Sequence, residues 1–142
     1  MNPIMEFTSI EQAYKCLQYW QEKLFLQDWT IKLLLCSPED MNLKDVCGEN
    51  IFQIENKCCV VKILRPEYYG DRITKYCAEQ ILIHELLHCL YNWVERDYDS
   101  IEVVYFDTLE HARLEQMAKS LLMVKYNLKF DWFGNFERSD LQ

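Results

Sequence analysis

Several things are missing from this chain, and each absence removes a class of explanation. Basic residues are outnumbered: 15 Lys and Arg stand against 23 Asp and Glu, the formal net charge is -8, and no basic run occurs. Phosphate backbones are gripped chiefly by Lys and Arg, so a nucleic-acid partner is not expected. No apolar run approaches the roughly 18 residues needed to span a bilayer. The opening Met1-Asn2-Pro3-Ile4-Met5-Glu6 also lacks the charged and apolar regions of a secretory signal. The expectation is therefore a cytoplasmic protein with no membrane partner. Cys-x-x-Cys pairs are absent as well. The seven cysteines, at 16, 36, 47, 58, 59, 77 and 89, are odd in number and suggest neither a disulfide framework nor a zinc ribbon. Most are expected to be reduced core residues behaving as small hydrophobes. Histidine is scarce, with only three in the chain.

What is present suits a folded domain. Of 142 residues, 50% are apolar and 14% aromatic, which excludes a disordered chain and suffices for one hydrophobic core over residues 1–142. No repeat, low-complexity segment or linker divides it. Ala13, Tyr14, Leu17, Trp20 and Leu24 follow helical spacing between Ser9 and Leu26, and Ser9 with Gln12 resembles a capping box. Strands are expected over Trp29–Cys36, Val46–Ile54 and Cys58–Leu64, the last two joined by a turn at Glu55-Asn56-Lys57. Pro66 ends the sheet region and Gly70 marks a loop. A second helix is expected from Thr74 to Trp93. A loop should then run to about Phe106, and Asp107 or Thr108 should cap a third helix ending near Tyr126. The tail from Leu128 should be an irregular cover. The fold class is α+β: an N-terminal helix, a short three- to four-stranded sheet, and two further helices.

The second helix carries the chemistry. Its sequence Ile81-Leu82-Ile83-His84-Glu85-Leu86-Leu87-His88-Cys89-Leu90 contains a His-Glu-x-x-His run. Residues four apart share a helix face, so both imidazoles can reach one cation. Glu85, about 100° round from His84, lies beside such a cation and can act on a water there. Burying two imidazoles and a carboxylate on so apolar a helix would cost several kcal/mol without partners, and a metal ion satisfies all three. Cys77 and Cys89 flank the motif, but Cys89 points about 100° away from His88 and Cys77 is about two turns before His84, so neither is expected to bind metal.

The order helix, sheet, metal helix, second ligand-bearing helix, together with His84-Glu85-Leu86-Leu87-His88 and the later segment Leu109 to Met123, resembles small zincin-type metallopeptidases of phages and bacteria. The Met117-Ala118-x-x-Leu121-Leu122-Met123 part also resembles the third-ligand helix of ImmA/IrrE-type peptidases. This resemblance implies a minimal zincin-like fold, a Zn2+ cofactor and a peptide or protein substrate. It further implies that the strand before the metal helix lines the cleft, so that Lys57 to Leu64 would pair with an extended substrate.

A catalytic zinc needs three protein ligands and one open position. With Leu114 centring the core face of the third helix, His111 and Glu110 flank that face on opposite sides, and Glu115 lies further round. His111 is the first candidate for the third ligand. Glu110 is the alternative and Glu115 the next, although Glu115, four residues after His111, is better placed to brace a ligand imidazole. The ImmA/IrrE-like enzymes use Glu as third ligand, and alignment on Met117-Ala118 puts that position at His111, a departure from their pattern. The expected chemistry is zinc-dependent hydrolysis with Glu85 as general base. Tyr91, Tyr105 and Arg113 are candidate oxyanion stabilisers. The competing reading is a zinc-stabilised binding or regulatory module without catalysis.

Overall fold

The computed structural model describes residues 1–72, 74–91 and 101–134, with the backbone alone over 101–107. Three helices pack with one sheet, an α+β arrangement: α1 (Ile10–Lys23), β1 (Thr30–Cys36), β2 (Gly48–Gln53), β3 (Cys58–Leu64), α2 (Ala78–Tyr91) and α3 (Ile101–Tyr126). The spacing of Ala13, Cys16, Leu17 and Trp20 puts all four on the buried side of α1. Ser9 caps its start by accepting from Gln12 N at 3.1 Å, but Gln12 Oε1 accepts from Thr8 N at 2.8 Å, one residue before the donor a capping box would use. At the other end, Leu26 N donates to Gln21 O and Phe25 N to Glu22 O, with Phe25 at φ 62°. This is the left-handed terminus usually given to glycine.

β2 and β3 form an antiparallel hairpin, and β1 joins β3 in parallel, giving the order β1-β3-β2. β3 is therefore the central strand, hydrogen-bonded on both sides. The expectation that Lys57–Leu64 would accept an extended peptide fails, because its backbone donors and acceptors are already used within the sheet. β2 is the edge strand nearer α2. Alternate residues Cys59, Val61 and Ile63 of β3 join Leu33 of β1 in the core, where they meet Leu17, Leu82, Leu86, Leu114, Ala118 and Leu122 of the three helices. On the opposite face the buried Glu49 accepts from Asn42 N and Leu43 N and pairs with Lys62 at 3.8 Å, tying down the β1–β2 connection.

Two helix starts differ from the sequence expectation. α2 begins at Ala78, not Thr74. Its first N–H groups are taken by the N-terminal segment, with Ala78 N donating to Met5 O and Glu79 N to Ile4 O, while the Thr74 hydroxyl bonds Tyr69 Oη. The orphan donors of a helix start thus find partners from far away in sequence. α3 begins at Ile101, so Asp107 and Thr108 lie inside it and residues 101–106 are not loop. The β-branched stretch Ile101 to Val104 disfavours helix only by a few tenths of a kcal/mol per residue, and no glycine or proline interrupts 101–126. α3 ends where Asn127 adopts φ 54° and Leu128 N returns to Met123 O. A 3-10 turn at Phe130–Phe133 follows and buries Phe133 against the core. The expected end of α2 at Trp93, the acidic stretch Glu95–Asp99 and Phe136 lie outside the described residues.

Candidate metal centre

α2 is apolar nearly all round: Ile81, Leu82, Ile83, Leu86, Leu87 and Cys89 are all buried. A helix in that position must account for each polar group it carries inward. Three do so: Glu79, Glu85 and His88. Glu79 is saturated, accepting from Ile4 N, Trp20 Nε1, Lys125 Nζ and Tyr126 Oη at 2.7 to 3.0 Å. No hydrogen bond reaches the Glu85 carboxylate among the described residues, and His88 Nε2 lies 3.9 Å from its Oε1.

His84 and His88 of α2 meet His111 of α3. One donor atom from each lies within 4.8 Å of the other two, and the trio grades from buried (His88) through partly buried (His84) to exposed (His111). The ring centroids are 4.9 to 5.5 Å apart, and His111 Nδ1 lies 3.4 Å from His84 Nε2. Three imidazoles so converged can hold one metal ion. Glu110 is not a member of this trio. Glu115 is placed behind it, with Oε2 2.8 Å from His84 Nδ1. Cys77 is just outside α2, and Cys89 turns into the core, 3.9 Å from Cys59 Sγ. All seven cysteines are free thiols. Of the three candidate oxyanion groups, Tyr91 and Arg113 are exposed, and the Tyr105 side chain lies outside the described residues.

Electrostatics divide the site. Burial, reinforced by the neighbouring His84 and His111, pushes His88 down to about 3, so it is a neutral ring at physiological pH. For His84, burial works against the charged form, but the close contact with Glu115 and the charges of Glu85 and Glu115 outweigh it and the net shift is upward. Burial raises Glu85 to about 7, against an opposing pull from His84 and with help from Glu115 and Glu49. A cation placed between the histidines would draw Glu85 back towards its ionised form.

Two residues of β2 complete the setting, and neither was singled out from sequence. A Cβ on Gly48 would stand 2.7 Å from Glu85 Oε2 and 2.7 Å from Ile81 Cγ2, so glycine lets the strand and the carboxylate touch. Asn50 Nδ2 donates to Glu85 O at 2.7 Å and clamps the motif's backbone to the sheet. Gly48 and Asn50 share one strand face by alternation, but their pairing with Glu85 depends on register, which the sequence does not specify. Comparison with protein-family models, with curated proteins and with solved structures gives no match. Among the described residues no helix is long and apolar enough to cross a membrane.

Proposed function

We propose that this chain is a zinc-dependent hydrolase, a small zincin-like metallopeptidase in which His84, His88 and His111 hold the metal and Glu85 is the general base. The observation that carries the reading is the meeting of a His-Glu-x-x-His turn with a third histidine from another helix, around a buried carboxylate left without hydrogen bonds. Imidazole nitrogens are a donor set that zinc takes. Two nitrogens each about 2.0 to 2.1 Å from one tetrahedral ion stand about 3.3 to 3.4 Å apart, and one pair of the trio, His111 Nδ1 and His84 Nε2, is 3.4 Å apart. Among the described residues three protein ligands meet here, which would leave a fourth position open, as a catalytic site requires.

When bound, zinc supplies Lewis-acid polarisation of water and of the scissile carbonyl. Glu85 takes the proton of the attacking water and returns it to the leaving amine. Burial raises its carboxyl in the metal-free chain, and a cation held by the histidines would offset that rise and leave a carboxylate able to accept the proton. Gly48 leaves room for the carboxylate against β2, and Glu115 orients His84 through Nδ1. An extended peptide would align along β2, the edge strand that touches Glu85, with main-chain hydrogen bonds as the common grip.

A purely structural metal has no use for an unpartnered buried base, and Glu85 therefore favours catalysis over the zinc-stabilised binding module. The direct test is metal content. One equivalent of zinc is expected in the purified protein, lost in both His84→Ala and His88→Ala. Full retention in both variants removes the site.

A further inference from the structure

The brace behind His84 does not end at Glu115. Gln80 lies on α2 one turn before His84, on the same face, and its Nε2 donates to Glu115 Oε1. The other oxygen of the same carboxylate lies 2.8 Å from His84 Nδ1. The two atoms are within ion-pair distance without the alignment of a hydrogen bond, and Nδ1 makes no hydrogen bond to any described residue. One carboxylate from α3 is thus held between two side chains of α2, each using one oxygen.

We propose that Gln80 is a positioning residue for the metal centre: by fixing the Glu115 carboxylate, it holds His84 in the tautomer with the proton on Nδ1 and the lone pair on Nε2. The role as a metal brace rests on the zinc reading above. The tautomer itself does not.

The physical case concerns freedom of rotation. Glu115 has a side chain 40% exposed and stands on a helix facing solvent on one side, so alone it has several rotamers and water to satisfy it. A single bond to His84 would have to overcome that freedom. A second bond from Gln80 selects the rotamer in which Oε2 meets Nδ1. Gln80 is suited to this because its amide is a neutral donor: it satisfies one oxygen without neutralising the carboxylate, which stays a strong acceptor for the imidazole. Nε2 of His84 is then the atom facing His111 Nδ1, 3.4 Å away, where a shared cation would sit. The spacing is symmetrical in sequence, since Gln80 precedes His84 by four residues and Glu115 follows His111 by four.

The test separates this proposal from the metal reading. In metal-free protein, at a pH where the ring is neutral, two-bond proton–nitrogen correlation spectra report which nitrogen of His84 is protonated. Wild type should show the Nδ1-H form, whereas Gln80→Met, which keeps length and packing but not the donor, should give a mixture. Zinc affinity should fall about threefold to tenfold in Gln80→Met, less than a direct partner's roughly 10- to 100-fold. Gln80→Lys, which restores a donor to Glu115 but a charged one, should recover only part of it. In a Glu115→Ala background the Gln80→Met change should have no further effect, because the path has already been cut. An unchanged His84 tautomer in Gln80→Met, or an undiminished effect in the Glu115→Ala background, overturns the proposal. Failure of wild type to take up zinc overturns the metal reading instead, and the tautomer measurement still decides the role of Gln80.

Discussion

Glu79 and Glu85 are both buried carboxylates on α2, yet the protein holds them in opposite states. Glu79 meets four donors, among them the Lys125 ammonium at 2.8 Å. They overcome the burial penalty and hold its carboxyl below the usual range. Glu85 meets none among the described residues and is raised to about 7. One carboxylate is a permanent anion that ties the N-terminal segment, α1 and α3 to α2. The other is free to exchange a proton. Environments that push two acids apart are how a fold separates structural charge from chemistry.

Glu85→Gln follows from that contrast. The amide conserves shape and cannot accept a proton, so metal content should be unchanged while peptide hydrolysis falls at least about a hundredfold. Turnover at the wild-type rate would show that Glu85 is not the base.

Gly48→Ala should be harmful although no charge is altered. Its methyl would stand 2.7 Å from Glu85 Oε2 and from Ile81 Cγ2, so either the carboxylate or the strand must move. Overpacking of this kind costs about 1–3 kcal/mol. Denaturant unfolding should register that loss, and turnover should drop beyond what the change in folded fraction explains. Wild-type values for both would mean that the close approach of β2 to Glu85 is not needed.

Much of this arrangement is legible in the sequence, for identifiable reasons. The helical spacing of Ala13, Leu17 and Trp20, a strand between Val46 and Ile54 and the i, i+4 histidines on a helix are local patterns, and each appears where expected. Partners fixed only by the assembled chain are not legible. Glu79 reads as an unremarkable acid in a helix's first turn, and its four donors come from residues 4, 20, 125 and 126. The start of α2 is set by Met5 and Ile4 across the chain, which no capping signal near Thr74 reveals. Sheet order is equally non-local: the same three strands in another order would leave β3 at the edge. Gln80 is the exception, since its spacing from His84 mirrors that of Glu115 from His111 and is visible in the sequence.

The third ligand is decided by paired substitutions on α3. With His111 in the converged trio and Glu110 outside it, His111→Ala should abolish tight zinc binding, whereas Glu110→Ala should change it little. Glu115→Ala should weaken binding by about 10- to 100-fold by releasing His84. Competition titration with a chromogenic chelator measures all three. The reverse order for the first two would transfer the ligand role to Glu110.

Phe25 offers a stabilising change. It is 86% exposed and sits at φ 62°, where a side chain gains no burial yet bears left-handed strain. A non-glycine residue there costs about 1–2 kcal/mol, partly offset by the extra unfolded-state entropy of glycine. Phe25→Gly should raise stability by about 0.5–1 kcal/mol in urea unfolding. A loss of stability would show that the exposed ring makes a contact worth more than the strain.

Acid sensitivity should trace to Glu79. Its carboxyl is held below the ordinary value of 4.5 in the folded chain, so its contribution is fully present above the unfolded value and is lost as pH falls through the folded one. Glu79→Gln removes that charge and leaves Lys125, with Tyr19 3.8 Å from its ammonium and Trp20 and Tyr126 nearby, without a counter-ion. Breaking such a pair costs about 3–5 kcal/mol at neutral pH. Urea unfolding at pH 7 should show that deficit. Repeating it from about pH 5 downward should show the deficit narrowing, because the wild type then loses what the variant already lacks. Asp28 and Glu115 also titrate from lowered values but are common to both proteins, so they cancel in the difference. Parallel stability curves for the two proteins across the acid range would mean that the Glu79 charge does not hold the four segments together.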